Sequence, residues 1–232
     1  MDDFVGALVW YVAFVLSTTL HEASHALAAK LGGDPTAYEG GQVSIDPVPH
    51  IRREPVGMVA LPIIALVLIG WPFGFASAPY NPVWAEQHPR RAAWMSLAGP
   101  GANLMLVVVC AVVIWLGVAL GTFHAPSTAH FTQVVSAVNG GVWDSAAFIV
   151  SIFFTLNLIL FLFNLLPLPP LDGSGALALL LREDVSLRIR KLSSQPMFGI
   201  IGLLIAWRVF GPIFDPIFTF ALNVLYPGTG YH

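Results

Sequence analysis

The sequence predicts an all-α polytopic membrane protein: about four transmembrane helices, plus a re-entrant or β-hairpin unit packed at an intramembrane site. Two observations carry that class. Of 232 residues, 56% are hydrophobic and only 10% are charged. That is far below the usual share of about a quarter, and it leaves too little polar surface to cover a soluble core of this size. The apolar residues also gather in runs long enough to cross a bilayer core of about 30 Å. A formal net charge of −3 gives no reason to expect a nucleic-acid partner. The single Cys110 lies inside an apolar run and has no partner for an internal disulfide.

The first element is a helix over residues 4–31. Its acidic start, Met1-Asp2-Asp3, lacks the basic n-region of a secretory signal, so the run is read as a retained helix. Residues 4–20 carry no charge, and His21-Glu22-Ala23-Ser24-His25 follows them. In a helix His21 and His25 stand one turn apart on one face. Two neutral imidazoles so placed can hold one divalent metal, most often zinc. Glu22 lies beside them, where it can take a proton from a water that the metal activates. His21 falls about 25 Å along the helix from Phe4, inside the hydrocarbon zone but near its far face. Lys30 and then Gly32-Gly33-Asp34-Pro35 close the helix.

Residues 36–54 read as a wet cytoplasmic loop. Gly40-Gly41, Pro47 and Pro49 punctuate it, and residues 42–46 alternate weakly, as a strand would. Asp46 and His50 are either further metal ligands or ordinary loop polar residues. Residues 55–71 are apolar but short for a span, and Pro62 interrupts them. Residues 70–82 read as extended and proline-broken. Arg52 and Arg53 precede this piece, and Arg90 and Arg91 follow it. Residues 55–82 are therefore expected to enter and leave on one side, as a re-entrant or β-like unit facing the site. The alternative is a short true span.

Residues 92–120 form a clear transmembrane helix with Gly99-Pro100-Gly101-Ala102-Asn103 near its start. The small residues allow close helix approach, and Asn103 needs a polar partner. Residues 121–141 form a loop without Lys or Arg. This suggests the extracytoplasmic side, with His124 and His130 apart from the site. The next span, 142–166, carries Asn157 and Asn164 on one face. It runs into Pro167-Leu168-Pro169-Pro170-Leu171-Asp172-Gly173, where the prolines stop regular helix. Asp172 is either a metal ligand or a helix-end charge. Residues 174–181 make a short helical run. Arg182, Arg188, Arg190 and Lys191 mark residues 182–196 as a cytoplasmic basic linker. Residues 197–232 hold a last transmembrane helix and a tail, with Pro212 and Pro216 breaking the helix and Arg208 and Asp215 near its middle. Residues 1–181 form the core. With the basic clusters held cytoplasmic, His25 and Asp172 end near the same face.

The chain resembles the site-2 protease family of intramembrane zinc metalloproteases, peptidase family M50. His21-Glu22-Ala23-Ser24-His25 matches that family's HExxH. The run from Asn164 to Gly173 matches its asparagine- and proline-rich signature ending in LDG, and Gly99–Asn103 matches its GPxxN. The resemblance implies one zinc ion per chain, held by His21, His25 and Asp172, with Glu22 catalytic. It makes Asn103 and Asn164 supporting residues. Residues Gly74, Phe75, Ala76 and Ser77 are the nearest match to the family's substrate-receiving β segment. Beside the resemblance, Asp172 has no basic residue within nine positions on either side, so a metal is its natural partner.

The implied function is zinc-dependent hydrolysis of peptide bonds in single-pass or hairpin transmembrane proteins, with the lipid bilayer as the other partner. The implied location is the cell membrane, a prokaryotic plasma membrane, with the active site toward the cytoplasm. Two other classes stand beside it. A membrane metal or small-molecule transporter would suit the broken helices, but it does not explain Glu22 between the ligands. A catalytically silent membrane scaffold would not need His21, Glu22, His25 and Asp172 intact.

Overall fold

The computed structural model describes residues 3–193 and 195–232. Met1 and Asp2, part of the acidic start, and Ser194, inside the basic linker, lie outside the described residues. The first helix, α1, spans Asp3–Gly32. Gly33 follows it at φ 99°, and its N–H bonds back to Lys30 O, closing the last turn as a left-handed C-cap does. Two short helices come next, α2 at Thr36–Glu39 and α3 at Pro47–Arg53. A π turn at Val56–Ala60 continues into α4, Leu61–Ile69. Then α5 spans Pro82–Gln87 and α6 spans Pro89–Ala119. Strands β1 (Phe123–His124) and β2 (Ser136–Ala137) pair antiparallel within the loop that joins α6 to α7, Val142–Asn164. Helix α8 spans Asp172–Ala176, α9 spans Glu183–Ser193 and α10 spans Pro196–Leu225. Among the described residues, four helices are long and apolar enough to cross a membrane: Phe4–Gly32, Pro89–Ala119, Val142–Asn164 and Met197–Leu225.

Helix α6 is the centre of the bundle, packed on α1 along one side and on α7 along another. Small side chains permit the approach. Ala26 and Ala29 of α1 and Ala92, Ala93 and Ala102 of α6 are all buried. At the basic end α1 is tied to α5 and α6, because Trp84 Nε1 of α5 and Arg91 Nη1 of α6 both donate to Gly32 O, at 3.1 and 3.2 Å. Asp34 adds a second tie. Its carboxylate accepts from Thr36 N–H and hydroxyl and, at 2.7 Å, from Asn81 N–H, which opens α5. Burial acts to raise the Asp34 carboxyl, but these hydrogen bonds outweigh it and hold the group below the usual carboxylate range. At the other end, Phe123, Val134 and Val135 of the α6–α7 loop pack with Ile114, Phe154, Phe214 and Phe218 in one apolar cluster.

Residues 55–82 are not a β-hairpin. They form a helix and an irregular return, with no strand among the described residues. Pro62 does not interrupt the helix. The π turn before it closes with Leu61 N–H on Val56 O and absorbs the ring and the missing donor. Gly70 caps the helix at φ 70°. The chain then returns so closely that Gly57 and Gly74 meet, with no room for a Cβ at either, and Phe75 N–H bonds Gly57 O at 3.1 Å. At one end Ser77 Oγ donates to Glu54 at 2.6 Å and Arg53 Nε donates to Ser77 O at 3.1 Å. At the other, Trp71 packs on Trp10 and Phe131.

Three further expectations change. Residues 42–46 form no strand and 36–54 is not wholly wet, because His50 and Gln42 are buried and His50 donates from Nε2 to Ser44 O. Asp46 caps α3 through Val48 N–H. Pro212 and Pro216 do not break α10, which is continuous; in lipid, a helix is the only local way to satisfy the remaining backbone groups. Arg208 and Asp215 form no ion pair with each other among the described residues, and both are exposed on the side of α10 away from buried Ala206, Phe214 and Phe218.

Candidate metal centre

Helix α1 brings His21 and His25 onto one face, and both rings are buried, only 6% exposed. The rings meet edge to face with centroids 4.6 Å apart, and their Nε2 atoms are 3.0 Å apart. They lie against α6 at Gly99, where a Cβ would collide with Nε2 of both rings. The glycine is thus the floor of the cradle.

The third group arrives from far along the chain. After α7 the prolines deny regular helix, and the chain turns through residues 165–171, with a cis bond between Pro169 and Pro170. Gly173 is pressed against the carbonyls of Leu165 and Leu166, and Gly175 against Ser96 of α6. That packing seats the first turn of α8 on α6 and sets Asp172 opposite the histidines. Its Oδ2 is 3.0 Å from His21 Nε2 and its Oδ1 is 3.3 Å from His25 Nε2.

The outer nitrogens of both rings are held. His25 Nδ1 donates to Met95 O at 2.7 Å, and a carbonyl can only accept, so the neutral ring turns an Nε2 lone pair inward. His21 Nδ1 lies 2.6 Å from Asn103 Oδ1. Asn103 is fully buried, and its Nδ2 donates to Asn157 Oδ1 at 2.8 Å.

The donor chemistry fits a metal ion. Two inward lone pairs facing each other and a carboxylate repel unless a cation lies between them. Ligand atoms of tetrahedral zinc, bound at about 2.0–2.1 Å, sit about 3.3 Å from one another. The three groups offer ligand atoms that all lie within 4.8 Å of one another, with closest approaches of 3.0, 3.0 and 3.3 Å. Glu22, the next residue after His21, is buried at 5% exposure.

The structure therefore brings together His21, His25, Asp172 and Asn103, over as many as 151 residues of sequence. It does not bring Asn164 into that network; its amide donates to Leu160 O of its own helix. Within residues 74–77, Gly74 lies against Gly57, Phe14 and Pro62, Ala76 packs on the apolar cluster around Met58, and Ser77 bonds Glu54 and Arg53. Asp46 and His50 stand outside the metal-capable group. His124 and His130 are exposed in the β1–β2 region. The roles of Met95 O, Gly99 and Asn157 escape sequence reading. Only the polar Asn157 in an apolar span, and the glycine of the GPGAN run, hint at them.

Known proteins resemble this chain along most of its length. Residues 9–207 match the model of peptidase family M50. A Bacillus subtilis (strain 168) protein named "Putative zinc metalloprotease YwhC" is 31% identical over 195 residues, covering 84% of this chain and 77% of that one. Two mycobacterial proteins, each named "Putative zinc metalloprotease Rip2", are similar too. The Mycolicibacterium smegmatis protein is 31% identical, covering 75% of this chain and 58% of its own length. The Mycobacterium tuberculosis (strain H37Rv) protein is 30% identical, covering 87% and 68%. No solved structure matches.

Proposed function

This chain belongs to peptidase family M50 and is by that membership a multi-pass membrane metalloprotease, and we propose that it cleaves transmembrane substrates at the His21–His25–Asp172 centre. The observation that carries the reading is the convergence of those three donors beside buried Glu22. His21, His25 and Asp172 would hold zinc, with Asn103 and Met95 O fixing the rings from behind. When bound there, zinc supplies a Lewis acid that polarises a carbonyl and acidifies water. Glu22 takes the proton from the attacking water, and the same carboxyl then delivers it to the leaving amine.

The substrate is a single-pass or hairpin transmembrane protein in the cell membrane. Its helix must unwind before cleavage, since its carbonyls are otherwise bonded within the helix. The return segment Gly74, Phe75, Ala76 and Ser77 receives the unwound chain, with Asn164 as a supporting residue. The unit 55–82 is re-entrant, a reading supported by the hydrogen bonds that join its two ends at Glu54 and Ser77. In this reading that end, and with it the catalytic site, faces the cytoplasm, which the basic residues Arg53, Arg90 and Arg91 support. A transporter or a silent scaffold gives no reason for a carboxylate base beside a three-donor metal cradle in a peptidase family.

The test compares wild type with Glu22→Gln, both purified in detergent, for zinc content and for cleavage of single-span model peptides that carry a helix-breaking residue. The variant should keep its zinc and lose cleavage by about 100-fold or more, the scale of a lost general base. Near-normal cleavage by Glu22→Gln removes the base assignment, and zinc-free wild type removes the metal reading.

A further inference from the structure

The geometry points to Asn157 as a positioning residue that decides which nitrogen of His21 is offered to the metal, an inference that rests on the zinc reading above. Asn157 is fully buried on α7. Its Nδ2 donates to Phe153 O at 2.8 Å and to Ser17 Oγ at 2.9 Å. Its Oδ1 accepts from Asn103 Nδ2 at 2.8 Å, and Asn103 Oδ1 faces His21 Nδ1 at 2.6 Å.

This chain of bonds has a direction, and one member imposes it. Phe153 O is a backbone carbonyl and can only accept. Asn157 must therefore turn its NH2 toward Phe153 and its oxygen toward Asn103. Asn103 answers with its own NH2, which leaves its oxygen for His21. The His21 proton then sits on Nδ1, and Nε2 turns a lone pair toward His25 and Asp172. With the Asn103 amide turned over, an NH2 would face Nδ1, the proton would move to Nε2, and one of the three donors would be lost. His25 needs no such relay, because Met95 O meets its Nδ1 directly. Ser17 does not set the direction, since a hydroxyl both donates and accepts.

Zinc affinity of the full chain in detergent, measured by chelator competition, tests the assignment, with the visible absorption of the cobalt-substituted protein as a second readout. Asn157→Leu removes the anchor and should weaken zinc by about 10- to 100-fold, the usual range for losing a group behind a ligand. The cobalt bands should change with it. Asn157→Ala removes the acceptor that holds Asn103 Nδ2 without adding bulk, so it should lose as much, and it serves where the leucine variant does not fold. The discriminating background is Asn103→Asp. A carboxylate accepts from His21 Nδ1 whichever way it is turned, so adding Asn157→Leu there should cost no further affinity. An equal cost of Asn157→Leu in both backgrounds overturns the proposal. So does a lowered melting temperature with zinc affinity and cobalt spectrum unchanged. Wild type that binds no zinc fails differently, since it removes the metal reading itself.

Discussion

Gly99 and Gly101 stand two residues apart on α6 in opposite circumstances. A Cβ at 99 meets Nε2 of His21 and His25, while a Cβ at 101 meets nothing within 4 Å. Gly99→Ala should therefore cost zinc affinity about 100-fold, at least the scale set by disturbing groups behind a ligand. Gly101→Ala should leave zinc binding unchanged and, by helix propensity, raise stability by up to about 1 kcal/mol. Isothermal titration with zinc and thermal melting of both variants check the pair; equal zinc loss in the two would show that α6 as a whole, not the cradle, is sensitive. Asp172 gives the complementary test. Asp172→Asn keeps shape but weakens the ligand, so zinc stoichiometry after dialysis against a mild chelator should fall. Asp215→Asn, on the exposed side of α10, should retain zinc. The opposite pattern would mean that the third ligand is misassigned.

At the scale of elements, Asp34 joins the end of α1 to the start of α5 through hydrogen bonds to Thr36 and Asn81. Its carboxyl is depressed in the folded state. The stabilisation is therefore present above the unfolded pKa of about 3.9 and is lost as pH falls through the lower folded value. Asp34→Ala should cost about 2 kcal/mol at neutral pH, the scale of hydrogen bonds to a charged group. Melting curves of wild type and variant in detergent, from pH 7 down to below pH 3, should converge at the acid end. A gap that stays constant across that range would show that the ionised carboxylate is not what joins the two helices. The proline-bearing helices behave less simply than their sequences suggest. A π turn carries the chain past Pro62, and α10 runs through Pro212 and Pro216, because lipid offers the freed backbone groups no water.

For the whole molecule, the proposed re-entrant path of residues 55–82, whose ends meet where Ser77 bonds Glu54, predicts that the unit starts and finishes on the cytoplasmic side. Single cysteines at Ile45, Glu86 and Ser127, all exposed positions, can be placed in a Cys110→Ala background and treated with an impermeant thiol reagent on intact cells. Only the Ser127 site should react. Labelling at Glu86 would make 55–71 a true span and invert everything after it.

The sequence by itself determined the class of molecule, the spans and the pairing of two of the three candidate metal donors. Composition reports the solvent, and His21 and His25 are four residues apart, so helical periodicity alone puts them on one face. Asp172 was legible through its lack of basic neighbours and through the LDG signature, but not through any local geometry. Its approach depends on Gly173 and Gly175 letting α8 sit against the end of α7 and against α6. The strand-like alternation at 42–46 misled because it ignores His50, which folds back onto Ser44. Tertiary structure alone decided that the return after α4 packs on the helix it left, and that Asn164 keeps to its own helix while Asn157 joins the site. The reason is physical. Whether a buried amide in a membrane span bonds its own backbone or another helix depends on which surface lies opposite it, and that surface comes from residues far away in the chain.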